Sequence, residues 1–216
     1  SARSLVTVQA HGSPHAANAA VANVPLSCAP APVISGFASP SGCASTGSIT
    51  INGTDLNSAS AVTIGGTAVS SITSNTATQI VAVIGTGTTG TVSVTTPGGT
   101  ANSAGTFTVN PLPTVYNVTG GGTYCSTGTG LSIGLSNSDI GIDYQLLRGV
   151  TPVGSPVAGT GSSISFGLQT LAGTYTVRAT NATTSCVRNQ SGSAIIAINT
   201  APSISVQPVS IGRCVG

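Results

Sequence analysis

The stretch "GSITINGTDLNSASAVTIGGTAVSSITSNTATQIVAVIGTGTTGTVSVTT", residues 47–96, decides the fold. Its apolar residues alternate. Ile49 and Ile51 lie two apart, as a half-buried strand requires, and Val62 and Ile64 repeat the spacing. Asn52-Gly53 reads as a turn signal, and Gly65-Gly66 as a second turn. "PVISGFASP" before this stretch, ended by Pro40, and "AGTFTVN" after it add further short strands. About seven strands at intervals of roughly ten residues predict a small β-sandwich.

Composition supports the same fold class. Only 4% of the 216 residues are charged, and Lys and Glu are absent. The charges are Arg3, Arg148, Arg178, Arg188, Arg213, Asp55, Asp139 and Asp143. Good helix formers are scarce, whereas β-branched residues alternate with Gly, Asn, Pro and Ser, so the chain is expected to be all-β. Five scattered arginines make no basic face, which argues against nucleic acid as a partner. No run of eighteen apolar residues offers a membrane span. Residues 1–10 lack the apolar run of a signal peptide, which a secreted protein would already have lost.

Residues 1–30 are Ala- and Pro-rich and weakly patterned, and read as a linker or the tail of an upstream unit. Residues 31–110 form the first sandwich. A second follows over 111–200, with strands "PTVYNV", "GLSIGLS", "IDYQLLRG", "SSISFGL", "GTYTVRAT" and "SAIIAIN". Residues 201–216, "APSISVQPVSIGRCVG", read as the start of a further repeat. Prolines mark both boundaries, near 110–113 and at 202.

The motifs of residues 32–109 run in a recognisable order: a proline and apolar strand, "SPSG", "ITINGTDL", "VTIGG", "GTVSVTTPGG" and "TFTV". This segment resembles an IPT/TIG domain. The resemblance implies an Ig-like fold and no activity of its own. In the second unit, "LQTLAGTYTVRATNATTSC" resembles the tyrosine corner of Ig-like sandwiches, with Tyr175 as the corner residue. The whole of 112–199 looks like the Ig-like repeats of large Bacteroidetes surface proteins, the adhesin and gliding-type proteins exported by the type IX system. Together these give tandem Ig-like β-sandwiches.

The five cysteines, with no CxxC pair and no Cys/His cluster, fit structural disulfides and an oxidising compartment better than zinc. Within the Ig-like resemblance, Cys186 falls after the tyrosine-corner strand and Cys125 before the strand "GLSIGLS", so a Cys125–Cys186 bridge is expected. Cys28 and Cys43 flank the first TIG strand, and a bridge between them would tie the linker to the domain. Cys214 is left unpaired in this chain, matching the pre-strand cysteine of a third sandwich.

Other candidate sites are weaker. His11 and His15 lie four apart, but Gly12, Ser13 and Pro14 between them oppose a metal-binding helix. Asp139 and Asp143 flank a turn, and an Asx-type turn at Asp139 accounts for them better than calcium or acid–base work. Neither a G-x-S-x-G elbow nor a Gly-Lys-Ser/Thr phosphate loop occurs. "TGGGTYCSTGTG" reads as turns. Asn52, Asn117, Asn181 and Asn189 begin N-glycosylation patterns. With no Lys to blunt sheet edges, end-to-end packing, glycan cover or lateral association must protect them.

No enzyme activity, metal or cofactor is expected. The chain reads as a structural and adhesive repeat region of a long extracellular cell-surface protein, with an unidentified glycan or protein ligand. Two alternatives stand beside it. One is a filament protomer that self-associates through residues 1–30 or 202–216. The other is an accessory region of a secreted glycan-active enzyme, although the chain has no Trp, three Phe and four Tyr to stack on sugars.

Overall fold

The computed structural model describes residues 28–200 and 202. Among these the chain is all-β and folds as two Ig-like sandwiches, with no helix.

The first module has nine strands: β1 (Val33–Phe37), β2 (Ser41–Cys43), β3 (Ser48–Thr54), β4 (Ala61–Ile64), β5 (Thr67–Ala68), β6 (Ser71–Asn75), β7 (Gln79–Val83), β8 (Gly90–Thr96) and β9 (Gly99–Asn110). One sheet has the order β1-β3-β7-β6 and the other β2-β9-β8-β4-β5. Strand alternation sends Ile49, Ile51, Ile80 and Ala82 inward from the first sheet. Val62, Ile64, Val92, Val94 and Phe107 meet them from the second, all at most 2% exposed. Each of the Ile, Val and Phe side chains contributes roughly 1.5–3 kcal/mol on burial, and Ala82 less. Gly65 and Gly66 both take positive φ and join β4 to β5, the two-residue hairpin turn their sequence implies.

Asn52-Gly53 is no turn. Both residues lie inside β3, Asn52 opposite Gln79 on β7 and Gly53 opposite Ile34 on β1. A Cβ on Gly53 would overlap the Val33 carbonyl oxygen, so the glycine serves close strand approach.

The second module follows a similar plan, without a counterpart of β6 and with an added β17: β10 (Val118–Gly120), β11 (Gly122–Cys125), β12 (Leu131–Leu135), β13 (Ile142–Arg148), β14 (Thr151–Ala158), β15 (Ile164–Gln169), β16 (Gly173–Asn181), β17 (Val187–Asn189) and β18 (Ala194–Asn199). Its sheets are β10-β12-β15 and β11-β18-β16-β13-β14, with β17 on β16. Ile133, Leu135, Tyr144, Leu146, Tyr175, Val177 and Ile196 fill the core. The two cores share no residue.

In both modules the opening strand changes sheets. β1 pairs antiparallel with β3, then β2 crosses to run parallel with β9. Likewise β10 pairs with β12, and β11 runs parallel with β18. The glycine-rich "TGGGTYC", which reads as turns, therefore contains a strand. Gly120, Gly121 and Gly122, all at positive φ, carry the chain between the sheets.

Candidate functional site: an intermodule disulfide

Cys43 is bonded to Cys186, joining the two modules across a sequence separation of 143. Each sulfur is delivered by local chemistry. Pro40 accepts a hydrogen bond from the Thr108 amide, 2.9 Å, where the chain crosses to β9. Three residues of parallel pairing then place Cys43 opposite Asn110, the last residue of β9. The Ala44 amide donates to the Asn110 carbonyl at 2.9 Å, and the Gly47 amide donates back to Cys43 at 2.9 Å. A Cβ on Gly47 would crowd the Cys43 backbone, so only glycine closes this corner so tightly.

On the other side, β16 ends at Asn181. Its Oδ1 accepts from the amides of Thr183 and Thr184, both at 2.9 Å, an Asx turn. Ser185 takes φ 59°, and the Asn181 amide donates to the Cys186 carbonyl at 2.8 Å. Cys186 is fully buried there. The Cα atoms of Cys43 and Cys186 are 5.6 Å apart, within the usual span of a disulfide.

The junction is also tied beside the bond. Arg188 donates to the Pro113 carbonyl at 3.4 Å. Buried Gln190 accepts from the Tyr116 amide at 2.7 Å and donates to the Thr114 carbonyl at 3.2 Å. The segment entering the second module is thus pinned to the residues that follow Cys186.

Neither expected pairing, Cys125–Cys186 or Cys28–Cys43, is formed; Cys28 and Cys125 are exposed free thiols. Position explains both outcomes. Cys125 closes β11 beside Asn199, at the Gly173 end of β16, whereas Cys186 follows Asn181 at the opposite end of that strand. Cys28 precedes Ala29 and Pro30, whose carbonyls lie against Gly98 in the turn before β9. Cys43 sits at the far end of β9, twelve residues long and so roughly 35–40 Å away. Cys214, His11 and His15 lie outside the described residues.

The remaining candidates resolve into structural roles. The Tyr175 hydroxyl donates to the Leu171 carbonyl at 2.7 Å while its ring is buried, the geometry of a tyrosine corner. Asp139 does not make the Asx turn read from its position. Its carboxylate accepts the Tyr116 hydroxyl at 2.5 Å, and its amide donates to the Tyr144 hydroxyl at 2.9 Å. The hydrogen bond to Asp139 holds the Tyr116 phenol above its ordinary pKa, and burial does the same for Tyr144. Asp143 sits on β13 opposite Thr180 and Ala158. Among the described residues no three His, Cys, Asp or Glu side chains gather as a metal site. A shallow depression of about 430 Å³ on the β10-β12-β15 sheet is lined by Thr119, Ser132, Ser165 and neighbours, none of them titratable in the ordinary pH range or aromatic.

Residues 32–109 match the IPT/TIG domain family. The matched segment is the first module. Cys43, which bonds the next module, lies inside that matched segment. No curated protein matches the chain. Similar solved structures include titin domains I67–I69, at 13% identity over 84% of this chain and 68% of that one, TM-score 0.38. Murine CEACAM1b follows at 14% identity, 78% and 99% coverage and TM-score 0.35. A Bacteroides ovatus mixed-linkage glucan protein, SGBP-B, has 15% identity, 82% and 47% coverage and TM-score 0.31. Of two other matches, one the gamma-CGTase of alkalophilic Bacillus clarkii, this chain spans only 49% and 28%. Scores this low say nothing of ligand or activity. No helix among the described residues is long and apolar enough to cross a membrane.

Proposed function

We propose that the chain is a stiff structural segment of a long extracellular bacterial surface protein, holding a binding or anchoring element away from the cell. The observation that carries this reading is the Cys43–Cys186 bond. Two sandwiches with separate cores would otherwise hinge at Pro111–Pro113. A covalent cross-brace beside that linker removes this freedom and supplies the stiffness a spacer needs. The disulfide also supports an oxidising, extracellular location. In this reading the chain is no enzyme. Any adhesive contact is made with a glycan or protein ligand outside the cell, and the type IX surface proteins are the class it serves.

The test is a replacement in the cell-surface protein. Deleting residues 32–199 should weaken cell attachment, and inserting an unrelated, rigid two-module Ig rod of equal length should restore it. Failure of the rod to restore attachment would mean that these modules bind the ligand themselves. Turnover of any substrate by the purified chain, abolished by one substitution, would overturn the reading.

A further inference from the structure

We propose that Cys125 bonds a cysteine beyond residue 216, in the module that begins after residue 200, making Cys43–Cys186 one rung in a series of intermodule disulfides. The inference rests on the reading of the chain as a spacer of tandem modules. It starts from register. Cys43 is the last residue of β2 and Cys125 the last of β11. Each pairs in parallel with the asparagine that ends its module's final strand, Asn110 or Asn199. The amide after each cysteine, Ala44 or Ser126, donates to that asparagine's carbonyl at 2.9 Å. Each cysteine carbonyl accepts from a glycine shortly downstream, Gly47 at 2.9 Å or Gly128 at 2.7 Å. The two residues therefore occupy one site in two copies. In the first copy that site is bonded to the next module; in the second it is an exposed thiol at the end from which the chain leaves.

The sequence repeats the device a third time. Cys43 lies eleven residues after Pro32, Cys125 twelve after Pro113, and Cys214 twelve after Pro202. A cysteine at the entry end recurs as well, although on a different segment. Cys186 lies in the connection between β16 and β18, at the entry end of the second module. Cys28 lies at the entry end of the first, beside the β8–β9 turn. Each module thus carries one cysteine where the chain enters and one where it leaves. The bond closes by thiol–disulfide exchange: the two cysteine thiols lose two protons and two electrons, and a disulfide donor, oxidised glutathione in vitro, is reduced to two thiols.

The test is non-reducing peptide mapping of the native polypeptide, isolated from its own cells under alkylating conditions. The expected map links Cys43 to Cys186, and Cys125 to a cysteine beyond residue 216. Recovery of Cys125 as an alkylated free thiol would overturn the inference. So would a link from Cys125 to Cys214, or to Cys28 of its own or another copy. The variant Cys125→Ser should lose that one cross-linked peptide, keep Cys43–Cys186, and expose one new alkylatable thiol downstream. If no such thiol appears, the assignment is wrong. The spacer reading is judged separately, by attachment after the rod replacement.

Discussion

The two modules differ most where their last two core strands connect. In the first, β8 turns into β9 through only Pro97-Gly98, where a Cβ on Gly98 would overlap the Pro30 carbonyl oxygen of the entering segment. In the second, residues 182–193 intervene between β16 and β18, add the short β17 and carry Cys186. The second module also has no counterpart of β6, but it shares the sheet-switching first strand and the cysteine that ends it. One enlarged loop therefore turns a generic sandwich into a receiver for its neighbour. The core sets each module's fold, and the connection sets how the modules relate.

The largest test of this division is to remove the bond with Cys43→Ser and Cys186→Ser together. While one module is folded, the disulfide closes the unfolded chain of the other into a loop, so both should lose about 2–4 kcal/mol. At ~4–8 °C per kcal/mol, calorimetry should show both transitions falling by roughly 8–32 °C. A shift confined to one module would break the picture of a shared brace. Next in size, Gly53→Ala drives a methyl group into the Val33 carbonyl and should cost the first module about 1–3 kcal/mol, leaving the second transition in place. Tyr175→Phe removes the hydrogen bond to Leu171 and should cost the second module about 1 kcal/mol.

The smallest effect comes from alkali. All four tyrosines lie in the second module. Tyr116 and Tyr144 hold their protons more tightly when folded, so the unfolded chain, with phenols near pKa ~10, releases them first. Their contribution is intact below about pH 10 and declines as pH rises above it. Calorimetry at pH 9 and pH 11 should show the second transition moving relative to the first, and Tyr116→Phe should reduce the movement.

Much of the fold could be read from local alternation. Ile49, Ile51, Val62 and Ile64 are buried as their spacing implies, because side-chain direction in a strand depends only on position. Features set by a neighbouring strand were harder. Asn52-Gly53 has turn composition, yet its glycine answers to a carbonyl on β1. β14 hides behind Pro152, Pro156 and Gly154, residues that suit an outer strand paired only with β13. Those same residues blunt the edge in place of lysine. The disulfide was hardest of all. Spacing along one chain does not reveal that Cys186 faces the preceding module, because that depends on the short junction at Pro111–Pro113 and on the loop around Asn181.

The Cys43–Cys186 bond also decides how the chain would carry tension. A pull on the two ends enters through β1 and β2, crosses the sulfur bridge and leaves through β17 and β18. Residues 44–185, including nearly all of both cores, hang outside that load path. Fully stretched at ~3.4 Å per residue, the exposed path of residues 28–43 and 186–199 reaches roughly 100 Å, against roughly 600 Å for the whole described chain. The bond acts as a tether of fixed length: even if force melted both sandwiches, the strand would scarcely lengthen until the sulfurs were reduced.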